Sequence, residues 1–118
     1  MKVKVYVYQK CSTCRDAMKW LNDNGIEYNA VLIREKPPTK RELKTMLKHM
    51  DGNLRKLFNS SGMDYRAMNM KEKFPTLTEA AAFDLLNANG NLVKRPFLLG
   101  EGVGLVGFKQ AEWKAKLR

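Results

Sequence analysis

The chain begins with valine alternating with polar or aromatic residues over positions 3–7, which is typical of a β-strand. Apolar residues then recur at helical spacing from Cys14 to Leu21, and Asn24-Gly25 can end this helix with glycine in the left-handed conformation. A second strand is predicted over 28–33, where three successive apolar residues indicate cover on both faces. A strand, a helix and a strand in this order predict a parallel pair joined by a right-handed crossover.

The middle of the chain is predicted to be helical. Pro37-Pro38 ends the second strand, and Thr39–Glu42 has the form of a capping box that opens an amphipathic helix. The segment 51–74 is irregular and predicts two short helices around a polar turn. A second capping box is indicated at Thr76–Glu79, for a helix that ends near Asn89-Gly90.

The last part of the chain returns to strands. Apolar runs at 97–99 and 103–106 flank a glycine-rich turn and predict a β-hairpin. Residues 109–118 predict a terminal helix packed through Trp113 and Leu117. The whole order of elements indicates an α/β fold with a mixed sheet and helices around it.

Length and charge narrow the class of protein. A chain of 118 residues with 44% hydrophobic content fits one compact domain. It has no apolar run near the ~20 residues of a membrane helix and no signal-peptide pattern at its start, so we expect a cytoplasmic protein with no membrane partner. The net charge of +10 suits anionic partners. The basic residues are spread along the chain without interleaved aromatic residues, which disfavours direct nucleic-acid binding.

Two cysteines, Cys11 and Cys14, lie at the predicted junction of the first strand and the first helix. A thiol reacts as its thiolate, and unpaired N–H groups and the positive end of the dipole at a helix start favour that anion. Lys10 and Arg15 add cationic charge on either side of Cys11. Cys14 follows one turn later, where it can attack a mixed disulfide on Cys11. The spacing predicts an exposed nucleophile and an inner resolving thiol; the alternative is two buried structural cysteines.

Metal binding is not expected. A closed zinc site needs about four ligands, and this chain has only two thiols and His49 as soft ligands. His49 falls in a lysine-rich helical stretch and is predicted to be a surface or helix-end residue.

Arg95-Pro96 stands directly before the third strand and has two interpretations. In a redox fold of this order, a cis proline that opens the third strand lies beside the nucleophile and would aim Arg95 or its backbone at whatever docks on Cys11. In the other interpretation the proline is a trans turn residue, and the arginine faces solvent.

Several segments taken together resemble the ArsC/Spx family of thioredoxin-fold proteins, over nearly the whole chain. The segments that carry the resemblance are Tyr8–Arg15, Pro37–Leu43, Leu57–Gly62, Lys94–Pro96 and Val106–Phe108. The resemblance implies a single thioredoxin-like domain over 1–118, with a mixed four-stranded sheet and a helical insertion at about 37–90. It also implies that Cys11 is the redox nucleophile, that Pro96 is cis and that Arg95 is functional.

The family includes two kinds of behaviour. Arsenate reductases use one cysteine on an oxyanion held by several arginines, whereas Spx-type regulators use a Cys-x-x-Cys switch and bind RNA polymerase. In this chain Cys14 replaces the serine of the glutaredoxin-dependent reductases, Asn59 stands in place of a family arginine, and another family arginine is missing near Gly107. Of the arginines that hold the oxyanion in the reductases, only Arg95 is clearly present in this chain. Because each charge-assisted contact contributes roughly 1.5–3 kcal/mol, this set should hold a divalent oxyanion less well.

The sequence therefore predicts an arsenate reductase-like thiol–disulfide oxidoreductase that acts on a small oxyanion or a disulfide. It would need no bound cofactor, and an external thiol such as glutathione with glutaredoxin, or thioredoxin, would reduce it. The candidate catalytic residues are Cys11, Cys14 and Arg95. The candidates for substrate binding or for tuning the thiol pKa are Lys10, Arg15, Asn59 and Pro96. The alternative is an Spx-like redox-responsive transcription regulator that binds RNA polymerase.

Overall fold

A computed structural model describes residues 2–118. Its four-stranded sheet has the strand order β2-β1-β3-β4, in which β1 and β2 are parallel and the other pairs are antiparallel. The strands are β1 (Lys2–Val7), β2 (Glu27–Leu32), β3 (Phe97–Gly100) and β4 (Val103–Val106). The predicted α/β fold with a mixed four-stranded sheet is confirmed.

Helices cover both faces of this sheet. The α-helices are α1 (Ser12–Asp23), α2 (Lys40–His49), α3 (Met63–Ala67), α4 (Met70–Lys73), α5 (Glu79–Ala88) and α6 (Gln110–Leu117). Short 3-10 helices cover Leu54–Leu57, Phe74–Thr76 and Gly90–Leu92. Over 2–118, no helix has the length and apolar character needed to cross a membrane.

The alternation along β1 divides the core into two clusters. The three valines of β1 pack with α1 and α6, and Trp113 of α6 is fully buried there. Tyr6 of β1 and Phe97 of β3 pack on the opposite face with the helices that lie between β2 and β3. The Trp113 indole N–H donates to the Gly107 carbonyl at 3.0 Å, which ties the predicted terminal helix to the end of β4.

Strand β2 differs from its prediction. It lies at the edge of the sheet and pairs only with β1, so Ala30 is exposed and Leu32 is half-buried. The predicted cover on both faces is wrong for this strand. The apolar run has a different cause, because Ile33, one residue past the strand, is fully buried in the core beneath the helices and donates its N–H to the Val7 carbonyl at 2.9 Å.

The two predicted capping boxes have different outcomes. Thr39 caps α2 with both reciprocal hydrogen bonds to Glu42, as predicted. The cap of α5 is Thr78 and not Thr76, because the Thr78 hydroxyl accepts the N–H of Ala81 at 3.1 Å. Thr76 ends a 3-10 turn, and its hydroxyl donates to the Lys73 carbonyl at 3.1 Å.

A short antiparallel bridge between Phe58 and Val93 positions the turn 59–62. Phe58 pairs with Val93, the Asn59 N–H donates to the Leu92 carbonyl at 2.7 Å, and the Lys94 N–H donates to Leu57 at 2.8 Å. The bridge fixes the turn 59–62 beside the segment that enters β3.

Glu42 also joins the cap of α2 to the sheet. Its carboxylate accepts hydrogen bonds from the Tyr6 hydroxyl at 2.6 Å, from Lys4 Nζ at 3.1 Å and from the Thr39 N–H at 3.0 Å. Burial acts to raise the pKa of Glu42, but the hydrogen bonds from Tyr6, Thr39 and Lys4 outweigh it and hold the pKa below its usual value.

We expect Glu42→Gln to destabilise the fold by about 1–2 kcal/mol at neutral pH. A carboxyl with a lowered folded-state pKa stabilises the protein above its unfolded pKa of about 4.3, and this contribution is lost as pH falls through the folded value. The deficit of the variant should therefore shrink below about pH 4. Thermal unfolding across pH measures it, with Glu27→Gln on the exposed edge strand as the matched control. A deficit of equal size at neutral and strongly acidic pH would contradict the expectation.

Candidate functional site

Cys11 caps the N-terminus of α1. Its Sγ accepts the backbone N–H of Cys14 at 3.3 Å, and its own N–H donates to the Tyr8 carbonyl at 3.0 Å. Both cysteines are free thiols; Cys11 is partly exposed and Cys14 is fully buried. The pair therefore occupies the outer and inner positions that the spacing predicts. The alternative of two buried cysteines does not hold for Cys11.

The inner thiol resists ionisation. Burial is the largest cause that raises the pKa of Cys14 to about 12. The hydrogen bond to Cys11 and the charge of Cys11 also raise it. A backbone hydrogen bond of Tyr8 and the positive charge of Arg95 act in the opposite direction. At neutral pH Cys14 is thus a protonated thiol beneath the outer sulfur.

A cleft of about 780 Å³ opens beside Cys11. Its walls come from the start of α1, from the turn 59–62 and from the segments that flank β3 and β4. Cys11, Asn59 and Arg95 all line it, so the structure brings together three predicted site residues that are distant in sequence. Asn59 belongs to the turn itself, where its carbonyl accepts the N–H of Gly62 at 3.0 Å.

Arg95 is held at the cleft by an aromatic ring. The peptide bond between Arg95 and Pro96 is cis, so the trans interpretation is wrong. The Arg95 guanidinium lies 5.0 Å from the centre of the Tyr8 ring. Its Nη1 atom is buried and has no hydrogen-bond partner within 2–118. A buried donor without a partner is costly, so this atom stands out among the polar groups of the cleft.

Tyr8, which contacts Arg95, and Arg34, which contacts Tyr8, are not among the predicted site residues. Arg34 lies 5.1 Å from the centre of the Tyr8 ring and donates to the Tyr8 hydroxyl at 3.0 Å, so the ring contacts two guanidinium groups. Asp64 is near both arginines, and hydrogen bonds from the side chains of Asn89 and Asn91 lower its pKa below the usual value. No local spacing signals this cluster, because its members come from five separate segments of the chain.

The two predicted cations next to Cys11 in sequence do not line the main cleft; nor do Cys14 and Pro96. Lys10 lines a separate cleft of about 440 Å³, on which Tyr8 and Arg34 also border. Arg15 is exposed and donates to the Gln9 carbonyl at 3.2 Å. The structure therefore leaves both cations near the Cys11 turn without directing either one into the cleft that holds the sulfur.

No group of three or more potential metal ligands occurs among the residues described. His49 is exposed at the end of α2, as predicted, where it packs against Gly104 of β4. It lines neither of the two clefts.

A mixed sheet of this topology, with a Cys-x-x-Cys pair at a strand-to-helix junction and an arginine before a cis proline, defines a thioredoxin-like protein. A sequence model described as the ArsC family matches residues 6–116. The chain belongs to the ArsC family.

Similar proteins cover the chain from end to end. The protein YusI of Bacillus subtilis is 42% identical over 114 residues, which is 97% of each chain. The crystal structure of an ArsC family related protein from Bacteroides fragilis superposes with a TM-score of 0.89, 43% identity and 98% of each chain. The structure of a possible arsenate reductase from Streptococcus mutans has a TM-score of 0.88, 37% identity and 96% of each chain.

A regulator is also among the relatives. The global transcriptional regulator Spx of Listeria monocytogenes is 24% identical over 110 residues, covering 93% of this chain and 82% of Spx. The family to which the chain belongs thus includes proteins named as reductases and proteins named as regulators.

Proposed function

We propose that the protein is an arsenate reductase-like thiol–disulfide oxidoreductase in which Cys11 is the nucleophile and Cys14 the resolving thiol. The observation that carries the proposal is the position of Cys11. Its sulfur caps α1, accepts the Cys14 N–H at 3.3 Å and lines the same cleft as Arg95. A helix N-terminus stabilises negative charge on such a sulfur.

The proposed cycle has two displacement steps. The Cys11 thiolate attacks one sulfur of a substrate disulfide, which breaks the S–S bond, forms a mixed disulfide and releases the first thiolate. Cys14 then loses its proton to water and attacks Cys11 Sγ, which releases the second thiolate and leaves a Cys11–Cys14 disulfide. Two electrons have passed to the substrate, and two external thiols return the pair to its reduced form.

The ionisation of Cys14 gives these steps their order. Cys11 raises the pKa of Cys14 both by its hydrogen bond and by its charge. Formation of the mixed disulfide removes the charge on Cys11, while the charge of Arg95 continues to favour the Cys14 thiolate. The first displacement therefore makes ionisation of Cys14 easier, although its burial still opposes ionisation.

Oxyanion reduction is the more demanding version of this function. Arg95 offers one buried donor to an anion, and Asn59 contributes a neutral amide where the arsenate reductases have an arginine. We therefore expect disulfides to be reduced faster than arsenate. Glutathione with glutaredoxin, or thioredoxin, would supply the electrons without a bound cofactor, in a reducing compartment such as the cytoplasm.

The test is turnover by the reduced protein. A small disulfide and arsenate are supplied separately, each with glutathione plus glutaredoxin or with thioredoxin plus its reductase, and consumption of the nicotinamide cofactor is followed. We expect disulfide turnover that is lost when Cys11 is alkylated beforehand. Turnover that is the same in the alkylated protein would rule out the proposed function.

A second candidate function is redox-dependent binding of RNA polymerase. The relationship to Spx over 93% of the chain supports it. In this case oxidation of the cysteine pair would switch binding, and no substrate would be turned over. Retention of RNA polymerase on immobilised protein, compared between the dithiol and disulfide forms, distinguishes the two functions. Redox-dependent retention without disulfide turnover would favour the regulator.

We expect Tyr8→Leu to lower kcat/KM for an anionic disulfide by about 3- to 30-fold, since a cation–π contact contributes about 0.5–2 kcal/mol and holds Arg95 at the cleft. Tyr8→Phe is the matched control, because it keeps the ring under Arg95 and removes only the hydrogen bond from Arg34. It should retain nearly full activity. Equal losses in the two variants would assign the role to the hydroxyl instead of the ring.

A further inference from the structure

The cleft beside Cys11 carries more positive charge than attack of Cys11 on a small disulfide requires. Arg95 lines it together with four further cations, Arg55, Lys56, Lys94 and Lys109, which are here called the basic rim. Glu112 is the one acidic residue of the lining. Within the chain that the structure describes, no residue of the basic rim forms a salt bridge. Its charge is therefore available to a partner.

The basic rim comes from two separate parts of the cleft wall. Arg55 and Lys56 belong to the 3-10 helix before the turn 59–62, whereas Lys94 and Lys109 flank the β3–β4 hairpin. A ligand that contacts both parts needs more than one negative charge. A small oxyanion bound to Arg95 would leave the basic rim unused.

The size and apolar content of the cleft also exceed what an oxyanion needs. Its volume of about 780 Å³ lies in the range of about 300–1,000 Å³ that proteins use for drug-sized ligands. Met50, Phe58 and Phe108 add apolar surface to the lining. Met63, also a lining residue, is 82% exposed and is the one large apolar side chain of the described residues with such exposure. Met63 therefore offers an accessible apolar contact next to the charged lining of the cleft.

We propose that the substrate of the Cys11–Cys14 pair is an oxidised cysteine in an acidic segment of another protein. The proposal rests on the thiol–disulfide function proposed above and names its substrate class. Acidic residues before and after the cysteine contact the two parts of the basic rim, and an apolar neighbour covers Met63. The Cys11 thiolate attacks the sulfur of that cysteine and expels its disulfide partner as a thiolate; Cys14 then attacks Cys11 Sγ and releases the reduced segment.

Three synthetic peptides test the substrate class. Each carries one cysteine as a mixed disulfide with 2-thiopyridine, a neutral leaving group whose release changes the absorbance, and the residues around the cysteine are acidic, neutral or basic. Because charge steering raises association rates about 10- to 1,000-fold, we expect the acidic peptide to react at least about tenfold faster than the neutral one at low salt. The basic peptide should be slowest, and added salt should reduce the differences.

Charge reversal on the basic rim is the second test of the substrate class. Lys56→Glu/Lys109→Glu reverses one exposed cation in each part of the basic rim. Lys44→Glu/Lys48→Glu makes the same change in net charge at exposed residues of α2 that do not line the cleft. We expect the rim variant to lose the preference for the acidic peptide and the α2 variant to retain it. Loss of the preference in both would assign it to net charge and overturn the proposed docking surface.

The outcomes separate this proposal from the function on which it rests. Equal rates for the three peptides, with normal turnover of a small disulfide, would overturn the substrate class and leave the oxidoreductase intact. An equal preference for a free anionic disulfide of low molecular mass would assign the cleft to a small thiol instead of a protein segment. Failure of every disulfide to react with Cys11 would overturn the function itself.

Discussion

Replacement of Cys11 by serine is expected to abolish disulfide turnover, with a loss of at least about a thousandfold, because a serine hydroxyl supplies no thiolate to attack sulfur. The same change should leave the fold intact. Serine is among the best N-cap residues, and its oxygen can accept the Cys14 N–H that Cys11 Sγ accepts now. Turnover and thermal unfolding measured on one preparation therefore separate chemistry from stability.

Cys14→Ala is the matched control for the resolving step. The variant should release one equivalent of leaving group per chain and then stop, with the substrate retained on Cys11 as a mixed disulfide that intact-mass measurement detects. Turnover at the wild-type rate would show that Cys14 has no part in resolution and that an external thiol resolves the adduct. Absence of the first equivalent would contradict the role of Cys11 as nucleophile.

The parts of the fold that follow from local pattern were predictable. The alternation in β1, the Cys-x-x-Cys junction and the capping box of α2 depend on residues within a few positions of one another, and the structure has all of them. Thr76–Glu79 matches the Thr-x-x-Glu pattern, but the hydroxyl of Thr78, bonded to the N–H of Ala81, is enough to start α5. That residues 1–118 form one domain with an insertion at about 37–90 stays a prediction.

The candidate site was predictable in part from local residues and in part only through the resemblance. Cys11 has a local signal, whereas Asn59 and Arg95 reach the cleft through the bridge between Phe58 and Val93 and through the cis bond before Pro96. Such pairings join distant segments and produce no repeating pattern of residues in the sequence. The cluster of Tyr8, Arg34 and Arg95 lacks a sequence signal for the same reason. Lys10 and Arg15 are close to Cys11 in sequence but do not line its cleft, and their role stays a prediction.

Arg95→Met is expected to move activity and stability in different directions. The variant keeps an unbranched side chain of similar length and removes the buried Nη1 donor that has no partner, so the free energy of unfolding should stay the same or rise. Turnover of an anionic disulfide should fall by about 10- to 100-fold, the equivalent of one lost charge-assisted contact of roughly 1.5–3 kcal/mol. Both quantities are measured by steady-state kinetics and thermal unfolding of the same protein.

Two further measurements distinguish a functional Arg95 from a structural one. A neutral disulfide should lose less activity than an anionic one in the variant, because only the anion contacts the guanidinium. Arg95 also lowers the pKa of Cys14, so its removal should slow the resolving step more than the first displacement and shift the pH dependence of that step upward. Arg95→Lys should recover the effect on Cys14 but not the anion preference, because lysine keeps the charge and loses the planar fork. A variant that unfolds more easily and reduces anionic and neutral disulfides equally well would instead mark Arg95 as part of the scaffold that holds Tyr8, with the anion bound elsewhere in the cleft.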